Sequence, residues 1–213
     1  MGDLVKLLVK RIVNRPVDSN SYIIYYKDRS SCIVIDAGTP DCSELLQHFQ
    51  EHDIVPEYII LTHEHFDHVW GVNKLKKLFN CKIVCSKDCA EKIVDKKKNL
   101  SVFYNQVGFE SYSPDIIVNS ISTIRWYDIT FQFIETPGHT DGSICIFTSN
   151  KLFTGDTILK NLKTITKLPG GNKGNLKNSL NSVFLKFKDQ NIKVFPGHGD
   201  CFNLKEITIN ELL

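Results

Sequence analysis

Hydrophobic and polar positions change period several times along this chain. Leu4 to Val13, Ser21 to Lys27 and Cys32 to Ile35 are rich in Val, Ile and Tyr, which predicts three β-strands in a meander. Asp36-Ala37-Gly38-Thr39-Pro40 ends the third strand. From Asp41 a helix is expected, with Glu44 three residues on as a capping-box partner and Leu45, Leu46 and Phe49 as its apolar stripe. Tyr58 to Leu61 is short and almost wholly apolar, the pattern of a strand buried on both faces and central in its sheet. Val69, Val72, Leu75 and Leu78 then recur at helical spacing. Lys82 to Cys85 reads as another strand, with Ser86 capping a helix that runs to about Val94. Residues 95–115 show no clear period and predict a long loop over one end of the domain. Its aromatic residues, Phe103, Tyr104, Phe109 and Tyr112, either pack locally or line a substrate groove.

The second half repeats the order of the first. Ile116 to Val118, Thr123 to Trp126, Ile129 to Glu135, Ser143 to Thr148 and Leu152 to Thr154 read as strands. Phe131 and Phe133 alternate with Gln132, as a half-buried strand requires. Leu176, Leu180, Val183, Phe184 and Phe187 form the strongest helical stripe, and Ile192 to Phe195 is the last buried strand. With no linker rich in Pro, Gly or Ser, the 213 residues predict a single compact α/β domain over positions 1–213. A hydrophobic content of 42% is enough for a substantial core.

Charge removes some function classes. The 26 basic and 24 acidic residues leave a net charge of +2, which predicts no preference for nucleic acid or a membrane surface. Lys96-Lys97-Lys98 reads as a solvated turn. No apolar run reaches the length of a bilayer span, and the N-terminus lacks the apolar stretch of a signal peptide. Seven cysteines, an odd number, point to reduced thiols and a cytoplasmic protein. Cys81, Cys85 and Cys89 step by four, but one falls in a strand and another in a helix, so buried thiols are expected there rather than a metal cluster.

The candidate chemistry lies in four short loops that hold five of the seven histidines and two aspartates. The first is Leu61-Thr62-His63-Glu64-His65-Phe66-Asp67-His68, the pattern H-x-H-x-D-H. The others are Thr136-Pro137-Gly138-His139, Phe153-Thr154-Gly155-Asp156 and Phe195-Pro196-Gly197-His198-Gly199. Each polar residue follows a run of β-type residues, so each loop is expected to leave a strand end. His63 and His65, two apart, can present both imidazoles to one ion, and Asp67 and His68 point to a second position. Imidazole and carboxylate together suit zinc, and also manganese or iron. No thiolate occurs in the loops, so a structural zinc site of the cysteine type is not expected. Seven donors are too many for one tetrahedral ion and suit two, with the two oxygens of Asp156 as the natural bridge. Two ions about 3.5–4 Å apart would share a hydroxide, a nucleophile at neutral pH, and would polarise a carbonyl or phosphoryl oxygen.

On these residues the chain resembles the metallo-β-lactamase fold superfamily, from Asp36 to Asp200. The resemblance implies a four-layer αβ/βα sandwich of two mixed sheets flanked by helices, with metals at one edge between the sheets. It implies that His63, His65 and His139 hold a first ion, that Asp67, His68 and His198 hold a second, and that Asp156 bridges them. Asp36 would support the site from behind the ligands, and Asp67 would also orient the attacking hydroxide as the catalytic residue. Through Thr136 to Thr140, Leu168-Pro169-Gly170-Gly171 and Pro196 to Gly199 the likeness is closest to hydroxyacylglutathione hydrolase (glyoxalase II) and its single-domain relatives.

Two departures matter. The basic C-terminal helical extension of glyoxalase II does not appear before Leu213, and Thr164-Ile165-Thr166-Lys167 lacks the arginine those relatives often carry there. Lys160, Lys163 and Lys167 are nearby cations, either for an acidic substrate or as surface lysines on a strand edge. Antibiotic hydrolysis is not expected, because Asp156 stands where true β-lactamases of this fold often carry cysteine. The expected activity is a dinuclear metal-dependent hydrolase acting on an ester, thioester or related bond of a small molecule. Its cofactors would be two divalent ions, zinc first, with iron or manganese as the others. A mono-iron persulfide dioxygenase-like oxidoreductase and a non-catalytic metal-binding module are the alternatives.

Overall fold

Residues 6–213 are described by the structure, a computed structural model, so Leu4 and Val5 of the first expected strand lie outside the described residues. The first sheet runs in sequential order through β1 (Leu8–Val13), β2 (Asn20–Tyr25), β3 (Ser31–Ile35), β4 (Val55–Ile60), β5 (Lys82–Ser86) and β6 (Ile116–Val118). Short connections make β1, β2 and β3 antiparallel, with Tyr22 opposite Ile35. Helix α1 (Ser43–His52) then carries the chain across to β4, which is parallel to β3 and β5. The apolar pattern of 58–61 is thus explained, since β4 is interior to the sheet and Ile59 and Ile60 are fully buried.

The second sheet repeats the plan. It contains β7 (Thr123–Trp126), β8 (Ile129–Glu135), β9 (Ile144–Thr148), β10 (Lys151–Gly155), β11 (Lys193–Pro196) and β12 (Phe202–Asn203), in the order β12-β11-β10-β9-β8-β7. Strands β7 to β10 are an antiparallel meander, and helix α6 (Lys173–Phe187) crosses over to β11, parallel to β10. Phe131 and Phe133 are buried while Gln132 is exposed, as their alternation predicts. Leu176, Leu180, Val183 and Phe187 of α6 share a core with Leu152, Val194, Phe202 and Leu212. The result is an α/β fold of two mixed sheets with helices. The chain divides into two compact units, Met1–Leu61 with His65–Val84 and Ile93–Ile116, and Thr62–Glu64 with Cys85–Lys92 and Ile117–Leu213.

Several expectations are corrected. Helix α1 starts at Ser43, and no capping box forms with Glu44. Cys42 at the cap takes φ 54 with its thiol buried against the Thr39 and Gly71 carbonyls, and Asp41 Oδ1 accepts from Ser43 N–H at 3.1 Å. The stripe from Val69 to Leu78 spans two helices, α2 (Phe66–Val69) and α3 (Val72–Phe79), and Leu78 faces solvent. The break falls at Gly71, whose N–H donates to the Ala37 carbonyl at 2.7 Å and whose Cβ, if present, would lie 2.5 Å from Cys42 Sγ.

Residues 95–115 are not a plain loop. They contain α5 (Ser101–Asn105), and the Asn99 side chain ties the segment together by donating to the Ile93 and Phe109 carbonyls and accepting from Ser101 N–H. Phe109 stacks on Trp70, and Tyr104 meets Phe66 and Trp70, whereas Phe103 and Tyr112 are exposed. Lys160, Lys163 and Lys167 lie on no strand, because β10 ends at Gly155; Lys160 pairs with Glu206.

Helix α4 (Lys87–Ile93) follows the expected Ser86 cap, whose Oγ accepts from Cys89 N–H at 3.3 Å. The terminal turn Leu204–Glu206 and helix α7 (Ile209–Leu212) were not anticipated, although Asn203 with Glu206 and Thr208 with Glu211 form capping boxes.

No disulfide joins the seven cysteines, and all except Cys201 are buried. Burial pushes the Cys81 thiol up to about 11 and the Cys42 and Cys145 thiols up to about 12. Among the described residues no cysteine belongs to a group able to hold a metal ion, and no helix is long and apolar enough to cross a membrane. On α1, burial first and then the His52 and Lys10 charges push His48 down to about 4, against an upward pull from Glu51. Its imidazole is therefore neutral at pH 7.

Candidate metal centre

Strand direction decides where the chemical residues emerge. Strands β8 and β10 both run antiparallel to β9, and β11 is parallel to β10, so the three share one C-terminal edge. From that edge leave the loops of His139, Asp156 and His198. In the first sheet β3 and β4 are parallel, and their C-terminal ends deliver Asp36 and the 61–68 loop to one edge. Loops on rigid strand ends are where a fold can hold reactive groups at fixed spacing. The first loop is shared in sequence, with residues 62–64 in the second unit and 65–68 in the first.

In the second unit, the His139 Nδ1–H donates to the Ile165 carbonyl at 2.8 Å, which leaves Nε2 with its lone pair. The Thr62 hydroxyl lies within hydrogen-bond distance of His63 Nδ1, at 3.0 Å. The rings of His63 and His139 meet edge to face, 4.8 Å between centroids. Asp156 Oδ2 lies 3.6 Å from His139 Nε2 and 3.4 Å from His198 Nε2. Two atoms each about 2.0–2.1 Å from one tetrahedral zinc ion are roughly 3.3 Å apart. The donor chemistry and spacing therefore fit divalent metal, and histidine-rich groups able to hold such ions are present.

Two supports around these donors had no role in the sequence reading. Glu64, 1% exposed, accepts from Lys92 Nζ at 3.1 Å and from the Thr140 hydroxyl at 2.9 Å. It ties the first loop to the turn that carries His139. The signal was an acidic residue between two histidines whose alternation gives it no ligand role. Helix α6 supplies the second support. The N–H of Asn172 donates to the Gly138 carbonyl at 2.8 Å, and Ser179 Oγ donates to the Pro137 carbonyl at 2.7 Å. Gly138 has φ 151, and a Cβ there would lie 2.4 Å from Leu176 Cα, so only glycine lets the helix press this close.

In the first unit, the His68 Nδ1–H donates to Asp36 Oδ2 at 2.9 Å, with both residues buried. This fixes the tautomer and leaves His68 Nε2 as the donor atom, 3.7 Å from Asp67 Oδ2. The chain around the pair is held by main-chain bonds from Ala37 N–H to the His68 carbonyl, 2.8 Å, and from Phe66 N–H to the Asn99 carbonyl, 2.9 Å. His65 is buried at the start of α2.

The family model described as the Metallo-beta-lactamase superfamily matches residues 14–198. This chain belongs to the metallo-beta-lactamase superfamily. One superfamily relative is a Methanocaldococcus jannaschii protein named a probable metallo-hydrolase, 32% identical over 187 residues, 85% of this chain and 88% of that one. Another is hydroxyacylglutathione hydrolase of Salmonella paratyphi A, 31% identical over 144 residues, 67% of this chain. The match takes in 49% of the Salmonella protein, so this chain spans about half of it. Among solved structures, the B3 metallo-beta-lactamase BLEG-1 is similar with a TM-score of 0.86 at 25% identity, over 93% of this chain and 95% of that one.

Proposed function

We propose that this superfamily member is a dinuclear metal-dependent hydrolase that cleaves an ester, thioester or related acyl bond of a small molecule. The observation that carries the proposal is the carboxylate of Asp156, whose Oδ2 lies 3.6 and 3.4 Å from the Nε2 atoms of His139 and His198. In this reading His63, His65 and His139 hold one ion, Asp67, His68 and His198 hold the other, and Asp156 bridges them. A set of imidazoles and carboxylates without sulfur suits zinc, with manganese and iron as the other fits. What such ions supply is a water acidic enough to attack at neutral pH and a polarised substrate carbonyl.

The chain's own groups do the rest. Asp67 accepts a hydrogen bond from the attacking water and aims it. Asp36 keeps His68 in the tautomer with a free Nε2 lone pair. Glu64, with Lys92 and Thr140, keeps the first loop and the His139 turn in fixed relation. The similarity to the Salmonella hydroxyacylglutathione hydrolase supports a thioester among the acyl bonds. Lys163 and Lys167, both exposed, are the cations left for an acidic substrate group, since Lys160 is engaged by Glu206. Buried cysteines without a disulfide support a reducing, cytoplasmic setting.

Elemental analysis of the untagged protein should find about two zinc or manganese ions per chain, and a panel of thioesters, lactones, phosphodiesters and a β-lactam should include a hydrolysed acyl substrate. A single iron, with oxygen consumed on glutathione persulfide, would establish the dioxygenase instead. Two ions on a chain inert to the whole panel would establish a binding module.

Asp36→Asn should weaken metal binding by about 10–100-fold, read by competition with a chelator of known affinity. The position has φ 56, which asparagine tolerates, so the change removes charge with little backbone cost. Unchanged affinity would remove Asp36 from the metal machinery.

A further inference from the structure

One face of α1 gathers a second set of donors that includes none of the residues of the metal loops. His48, Glu51 and His52 stand at i, i+3 and i+4 of the helix, which places them on one side. Their ligand-type atoms lie within 4.8 Å of one another. His48 is 7% exposed, and its Nε2 is buried with no hydrogen-bond partner. A buried imidazole nitrogen left in that state costs free energy that a bound group would recover. The His52 Nδ1–H donates to the His48 carbonyl at 3.1 Å, so its Nε2 keeps the lone pair. Tyr25 packs edge-on against both rings, at 5.1 and 5.2 Å, and the two imidazoles sit 4.0 Å apart. Beside them lies a groove of about 190 Å³ lined by Lys10, Glu44, Gln47, His48 and Glu51. Two carboxylates against one ammonium give that groove a net attraction for a cation.

We propose that His48, Glu51 and His52 form a second metal site on α1, which takes a divalent first-row transition ion such as zinc. Two imidazoles and a carboxylate are the donors such ions favour, whereas calcium and magnesium require oxygen-rich sites. His48 is the fixed ligand, locked by burial and by Tyr25. Glu51 is exposed and, on giving up its bond from Gln47 Nε2 at 2.8 Å, can rotate to bring its carboxylate toward the roughly 3.3 Å mutual spacing of a tetrahedral ion. Three protein donors leave a fourth tetrahedral position for water, which can enter from the exposed side of Glu51 and His52.

The test compares zinc uptake by the untagged full chain and by His52→Ala, an exposed position whose loss leaves the core intact. Wild type should take up one zinc per chain more than the variant, or bind that equivalent at least about tenfold more tightly, with Glu51→Gln weakened in the same direction. Added zinc should also raise the melting temperature of wild type more than that of the variant. Equal uptake and equal affinity in wild type and His52→Ala would overturn the proposal and leave a stacked histidine pair capped by Tyr25. Because the readout is a difference between the two chains, it holds whatever number of ions the metal loops retain.

Discussion

Asp156→Ala should lower hydrolysis by on the order of 10³-fold and remove at least one metal ion per chain. The side chain is the proposed bridge, with one oxygen 3.6 Å from His139 Nε2 and 3.4 Å from His198 Nε2. Without it the two imidazoles still project from their strand ends, but the carboxylate that lies between them is gone, and Asp67 alone is left to offset two adjacent positive charges. The backbone is secured independently, because Thr164 Oγ1 donates to the Asp156 carbonyl at 2.8 Å, so the variant should fold and melt close to wild type. Metal content by elemental analysis and turnover on any substrate found in the panel read the two effects separately. A variant that kept both ions and full turnover would show that Asp156 is not the bridge.

Lys92→Met should destabilise the fold by about 3 kcal/mol, the low end for breaking a buried ion pair from one side. Glu64 is 1% exposed, and the substitution leaves its carboxylate with the Thr140 hydroxyl but without its cation. The low end applies because 18% of the Lys92 side chain reaches solvent, so water replaces part of the lost interaction. For a chain of this size the loss corresponds to roughly 6–12 °C in melting temperature. Adding Glu64→Gln to Lys92→Met should restore part of the stability, since a neutral amide no longer requires a cation. A thermal or urea melt of Lys92→Met, of Glu64→Gln and of the double variant closes the cycle. A Lys92→Met melting temperature equal to wild type would show that the pair carries no net stability.

The donors were legible in the sequence because each had to follow a strand, and strands of Val, Ile and Phe are easy to see. The alternation at Phe131, Gln132 and Phe133 and the apolar run ending at Leu61 both correspond to strands whose C-terminal ends carry the loops. What sequence could not show is how far tertiary contacts override local signals. Asp41 and Glu44 are good capping residues, and Asp41 Oδ1 does accept from Ser43 N–H at 3.1 Å, yet Cys42 takes the cap position and no box forms with Glu44. Val69 to Leu78 keep one period across two helices, because periodicity does not register the close approach at Gly71 that divides them. Glu64 and Lys92 are 28 positions apart, and neither carries a pattern that marks it as half of a buried pair. The order within 95–115 depends on a single asparagine side chain, Asn99, that bonds three main-chain groups.

The grip of α6 on the turn at 137–139 has a kinetic side. Three contacts, from Asn172, Leu176 and Ser179, stand behind the turn that carries His139. In the proposed site, the backbone of the His139 turn shifts only if the first two turns of α6 lift with it or the turn tears loose from them. An ion held there as proposed would have a lifetime that depends in part on how often that helix end frays, and a change as remote as Ser179→Ala would shorten it while leaving every candidate donor in place.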